Sequence, residues 1–172
     1  MAWGYGIASN VTVRELTTIA IGGRAVRVRV SNVFGRGPMK VGAASVALDA
    51  GGAAIQPGSL RPLQFGGASG TTVPAGSSVY SDPAQMTVTG RETLAISLYV
   101  TGSDLVSLHP CCDTQDDVSY FTPNGAGNLT SSVGSTGFSI ASPYPRWVDA
   151  VDVLETSGKG SIVVIGDSIT DG

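Results

Sequence analysis

The sequence predicts an all-β chain, a jelly-roll-like antiparallel β-sandwich over residues 1–155. Three observations carry that expectation. Short runs alternate apolar and polar residues, the period of a strand with one buried face. Clusters of Gly, Pro, Asp and Asn separate these runs at short, regular spacing. No stretch places apolar residues on a 3.6-residue helical stripe. Such a pattern suits two packed antiparallel sheets. The composition agrees. Of 172 residues, 42% are hydrophobic, enough for a core, and 24 are glycine. Only 13% are charged, about half the usual share.

The runs can be taken in order. "NVTVREL" and "TTIAIGG" read as two strand runs, with Gly22-Gly23 as a hairpin turn. "AVRVRVSN" alternates without a break. Val26, Val28 and Val30 face one way; Arg27 and Arg29 face the other. "FGRGP" then interrupts the chain. "VGAASVALDAGG" is a strand closed by residues 49–52. "SLRPLQFGG" is short and holds Pro62, which restricts it to an edge strand or a loop. "TTVPAGSSVYSDP" turns at Pro74-Ala75-Gly76 and resumes as a strand that ends at Pro83. "TLAISLYVTG" is the strongest strand. Leu94, Ile96, Leu98 and Val100 line one face, and Ala95, Ser97 and Tyr99 the other. "DVSYFTP" and "RWVDAVDVLE" supply the last two.

Charge and apolar runs narrow the partners. The net charge is −3, and the few Lys and Arg are scattered, so nucleic acid is not an expected partner. No apolar run reaches the roughly 20 residues that span a bilayer, so no membrane span is expected. The opening "MAWGYGIASN" lacks a basic segment followed by an apolar one. The Ser-, Thr- and Gly-rich, Lys-poor composition reads as that of an exported, extracellular bacterial protein whose leader is absent from this chain.

Cys111 and Cys112 are adjacent. Their Cα atoms sit about 3.8 Å apart, closer than an ordinary disulfide prefers. A strained vicinal disulfide and two thiols are the alternatives. No further Cys or His cluster provides a zinc site, and no cofactor is expected.

The composition changes at residues 156–160, "TSGKG", a small and polar linker. "SIVVI" follows with no alternation, which suits a strand buried on both faces in a parallel α/β sheet. Then comes "GDSITDG". A turn at Gly166 would leave Ser168 above a sheet edge, near backbone N–H groups able to hold an oxyanion. The residue two after Ser168 is Thr170, so this is not the G-x-S-x-G elbow.

"GDSITDG" resembles the first block of the SGNH (GDSL) hydrolases, esterases and lipases on a flavodoxin-like α/β sheet. "RVRVSNVFG", "VGAASVAL", "PLQFGG" and "SDPAQMTV" resemble the β-rich N-terminal domain of some secreted members. The resemblance implies ester hydrolysis of a small ester or an acylated carbohydrate, through an acyl-enzyme on Ser168. The turn residues Gly166 and Asp167 and the Ser168 backbone N–H would shape the oxyanion site. It also implies that residues 161–172 begin a truncated SGNH domain whose remaining segment is a missing partner. The family's base is a histidine with an aspartate three residues before it. The only histidine here is His109, preceded three residues earlier by Val106. The family's oxyanion glycine and asparagine come from middle blocks, which are absent too.

Three functional readings follow. The chain is an inert fragment of an esterase, a non-catalytic carbohydrate-binding or accessory module, or a small esterase with a rebuilt triad. In the last, His109 would serve Ser168 as base, oriented by Asp113, Asp116 or Asp117. The alternative for His109 is a loop histidine bonded to backbone or water. "DTQDD" offers Asp113 and Asp117 as calcium ligands or is a solvated loop. Trp3, Tyr5, Tyr144 and Trp147 stack on sugars or fill the core. Asn10 and Asn128 begin glycosylation sequons. Deprived of sheet partners, residues Ile162–Ile165 are expected to dock on the sandwich or to drive self-association.

Overall fold

A computed structural model of the chain describes residues 5–102, 104–107, 118–142 and 147–155. The described residues form thirteen strands and no helix. In chain order they are β1 (Tyr5–Ala8), β2 (Val11–Thr18), β3 (Gly23–Ser31), β4 (Met39–Leu48), β5 (Arg61–Leu63), β6 (Thr71–Val73) and β7 (Ser78–Tyr80). Then come β8 (Ala84–Val88), β9 (Thr93–Thr101), β10 (Asp104–Ser107), β11 (Ser119–Phe121), β12 (Ile140–Ser142) and β13 (Val148–Leu154).

Two antiparallel sheets make the sandwich. The larger has seven strands in the order β12-β11-β2-β9-β4-β5, with β6 pairing β4 beside β5. The smaller has four, in the order β13-β3-β7, with β8 pairing β3 beside β7. A separate ribbon pairs β1 with β10. The all-β expectation is met.

Alternation decides which side chains enter the core. Val26, Val28 and Val30 of β3 are buried, while Arg27 and Arg29 project outward. Across the gap stand Val13 of β2, Val46 of β4, and Ile96 and Leu98 of β9, in the same buried cluster. Each such aliphatic contributes about 1.5–3 kcal/mol on leaving water. Trp147, 3% exposed, belongs to this cluster. It fills the core and is not a sugar platform.

One expectation fails. Gly22-Gly23 does not close a hairpin, because β2 and β3 lie in different sheets. Val13 and Val28 enter the same core from opposite sheets. The crossing between them is tied down at Ile19, whose N–H donates to the Glu92 carbonyl at 3.0 Å. Its own carbonyl accepts from Arg91 N–H at 2.7 Å.

The other punctuation falls where the sequence places it. Pro62 sits in β5, an edge strand that tolerates a missing N–H. Gly76, with φ +74, closes the Pro74 turn and sends the chain from one sheet to the other, between β6 and β7. Gly42 marks a bulge in β4, where the pairing with β9 slips between Val41 and Ala43. A Cβ there would lie 2.6 Å from the Thr101 methyl.

The outer face of the large sheet is also covered. Ala95 and Ser97 of β9 are as buried as their core-facing neighbours. A second cluster of Leu16, Ala47, Ile55 and Ala95 packs there, with Leu60 and Tyr120 against it. The segments 49–60 and 122–138 form the cover.

Candidate functional site

The sequence-predicted reaction centre cannot be placed. Gly166, Asp167, Ser168 and His109 lie outside the described residues. So do Cys111, Cys112, Asp113, Asp116, Asp117, Trp3, Tyr144 and Ile162–Ile165. Among the described residues no three His, Cys, Asp or Glu side chains gather at metal-binding spacing. Among the described residues no helix is long and apolar enough to cross a membrane. Two polar constructions remain, one on each outer face.

The first lies on the small sheet. Strand alternation sends Arg27 and Arg29 of β3 to the same outer face, and antiparallel register sets β13 beside them. Arg27 Nη2 approaches Asp152 Oδ2 at 2.5 Å, and Arg29 Nε donates to Asp149 Oδ1 at 2.7 Å. On the other side stands Tyr80 of β7. The Arg27 guanidinium lies 4.2 Å from its ring centroid and that of Arg29 lies 5.7 Å away. The bond and charge of Asp149 raise the Arg29 pKa above its ordinary value. This face is a solvent-facing ladder in which Arg27 and Arg29 are each paired with an aspartate across the strand pair. At one end, where β13 finishes, a cleft of about 250 Å³ opens between Ala25, Pro83, Val153 and Leu154. The Arg27–Asp152 pair is at its rim.

The second is on the large sheet and is buried. Arg14 of β2 points to the outer face, yet its exposure is 0%. Nε donates to Ser97 Oγ at 2.8 Å, and Nη1 donates to the Ala53 carbonyl. Nη2 donates to the Ser132 carbonyl at 2.9 Å and more distantly to that of Leu129. The Phe138 ring stacks 4.5 Å from the guanidinium carbon. Burial pushes the Arg14 pKa down to about 10. The fork thus gathers carbonyls from both covering segments onto β2 and β9. Neighbouring groups add to the seam. Thr12 Oγ1 donates to the Gly127 carbonyl at 2.8 Å, and Ser45 Oγ to that of Thr130 at 2.7 Å. Apart from the bond to Ser97, these donors serve peptide carbonyls, so the site staples the covering segments to the sheet.

Glu15 is on the opposite face of β2, also buried. Its carboxylate accepts from Trp147 N–H at 2.8 Å and Val148 N–H at 3.3 Å, fixing the start of β13. Sequence reasoning overlooked both charges, although a signal was present. Adjacent charged residues in a strand face opposite sides, so one of Arg14 and Glu15 has to face the core.

The sequons are also engaged. Asn10 Oδ1 accepts from the Tyr99 hydroxyl at 2.5 Å, and Asn128 Oδ1 accepts from Thr130 N–H at 3.0 Å.

No family model matches the chain, and no curated protein matches it.

Proposed function

We propose that the chain is the β-domain of a serine-dependent carboxylic ester hydrolase of the SGNH type, joined to the first strand and nucleophile turn of the α/β domain. The observation that carries this reading is the block "GDSITDG" behind the apolar run "SIVVI". The all-β unit that reaches Leu154, just before "TSGKG", supports the division at residues 155 and 160. The jelly-roll-like description of the sandwich rests on the way successive strands β2, β3 and β4 alternate between sheets. Export of the protein belongs to the same proposal.

In this reading Ser168 Oγ attacks the ester carbonyl, the alcohol leaves, and water releases the acid from the acyl-enzyme. The Ser168 N–H stabilises the oxyanion. A serine without a base is a neutral hydroxyl and a weak nucleophile. The 172 residues contain one histidine and no Asp-x-x-His, so this stretch alone is expected to be inert. General-base help is worth ~10²–10⁴-fold in rate. Each oxyanion donor adds about 10²–10³.

The test is hydrolysis of p-nitrophenyl butyrate by the 172-residue chain and by the product of its full reading frame. The first should match buffer. The second should turn over and lose that turnover with Ser168→Ala. Turnover that survives Ser168→Ala overturns the proposal. Activity of the 172-residue chain that needs both Ser168 and His109 would establish the rebuilt triad instead.

A further inference from the structure

We infer that the cleft at the end of β13 binds a neutral sugar that carries a short alkyl or acyl group. Strand alternation builds the place. Ala25 pairs with Leu154 two positions along from the pair of Arg27 with Asp152, so all four share the outer face of the small sheet. Ala25 is small and leaves a hollow of about 250 Å³ between Leu154 and Pro83. Leu154 is 48% exposed beside it. An apolar hollow with a few fixed polar groups at its rim is the usual form of a small-molecule site.

The rim sets the chemistry. Arg27 donates from Nε and Nη2 to a single oxygen, Asp152 Oδ2. Among the described residues, Arg27 Nη1 has no acceptor and Asp152 Oδ1 has no donor. A donor and an acceptor therefore stand side by side at the mouth of the hollow. The pair is matched in charge, so a free anion or cation gains little there. A neutral group that both accepts and donates gains more, and a hydroxyl does both. On this face the backbone groups of β3 are spent in pairing with β13, β7 and β8, so side chains alone can hold a ligand. That disfavours a peptide main chain, which is captured through free backbone groups at a strand edge. Beyond Arg27 the Tyr80 ring, 39% exposed, continues the row towards Arg29 and Asp149. Guanidinium, carboxylate and ring in one row suit the hydroxyls and C–H faces of a sugar, and the hollow takes its apolar substituent.

The probe is butyl β-glucoside, titrated into the 172-residue chain and followed by amide chemical shifts. The shifts should centre on Ala25, Arg27 and residues 152–154 and saturate at about millimolar concentration. Glucose alone and butanol alone should each bind about fivefold more weakly or less. Leu154→Ser and Arg27→Ala should each weaken binding about fivefold or more. Arg27→Lys keeps the charge without the planar fork and should lose about threefold. Thr72→Ala, in β6 of the other sheet, should change nothing. Both Leu154 and Arg27 are solvent-facing, and an unchanged amide spectrum away from the cleft verifies the fold of each variant. The absence of shifts at 50 mM, taken here as roughly fifty times the expected midpoint, overturns the inference. So does binding that ignores Leu154→Ser and Arg27→Lys alike. Tighter binding of N-acetyl-leucinamide at the same amides overturns it too and assigns the cleft to a peptide side chain. The inference does not rest on the ester-hydrolase reading. Ser168→Ala should leave glucoside binding unchanged, whereas hydrolysis by the full reading frame decides that other proposal.

Discussion

Arg14 and Arg27 occupy like positions on consecutive strands and meet opposite fates. Each follows a core-facing valine, and each points away from the core. Arg27 ends in water, paired with Asp152 and lying on Tyr80. Arg14 ends under the segments 49–60 and 122–138, ringed by carbonyls. The difference comes from what the chain lays over each sheet and not from the strand. A cation on the open sheet is largely satisfied by water, and its ion pair adds little. On the covered sheet it becomes the anchor of its own cover, because it ties carbonyls of both covering segments to β2.

Arg14→Ala should break that contrast most severely. It removes the guanidinium donors to the Ala53 and Ser132 carbonyls and the Ser97 hydroxyl, at an expected cost of about 3 kcal/mol or more. Urea unfolding measures the loss, and exchange should rise across 122–138 before the rest of the chain opens. Arg14→Lys should recover only part, since an ammonium cannot span the fork. Ser97→Ala is smaller, about 1 kcal/mol, and should be far from additive with Arg14→Ala because both cut one network. On the open sheet, a double-mutant cycle of Arg27→Ala with Asp152→Ala should give a coupling under about 1 kcal/mol. That coupling should fade near 1 M salt. The smallest effect concerns pH. Arg14 is lowered to about 10 yet is charged in both folded and unfolded chains below that value. The stability difference between wild type and Arg14→Ala should therefore be flat from pH 5 to about 9. As pH rises above about 10, the unfolded chain holds a proton that the folded one has released, so the wild type gains. A slope between pH 5 and 8 would mean that a titrating neighbour governs the network.

Particular residues show how much of this was legible. Val26, Val28 and Val30 announced β3 because alternation is local and needs only one buried face. Pro62 announced an edge because the missing N–H is a property of the residue itself. The sheet to which a strand belongs is not local. Gly22-Gly23 looks like a hairpin turn, yet β3 pairs with β7, β8 and β13, all distant in sequence from β2, and no local pattern encodes those pairings. The cover over Arg14 is less local still, since it joins β2 to a segment more than 100 residues later, as Ser132 shows. Short strands such as β12 are invisible because three residues carry no period. For the candidate reaction centre the sequence is all there is: Ser168 and His109 lie outside the described residues, so their reading still rests on "GDSITDG" and on a lone histidine.

The pairing of β3 with β13 also has a consequence for synthesis. Arg27 and Asp152 are 125 residues apart in the chain, and β3 has no neighbour on that flank until β13 exists. At about 5–20 residues per second, a ribosome needs roughly 6–25 s to make the missing strand. During that interval the apolar face of β3 has only part of its sheet, and the nascent chain should be a client for holdase chaperones. Protease pulses on stalled nascent chains would show it: β3 should stay cleavable until Leu154 has cleared the exit tunnel, and earlier resistance would mean that β7 and β8 suffice to seal it.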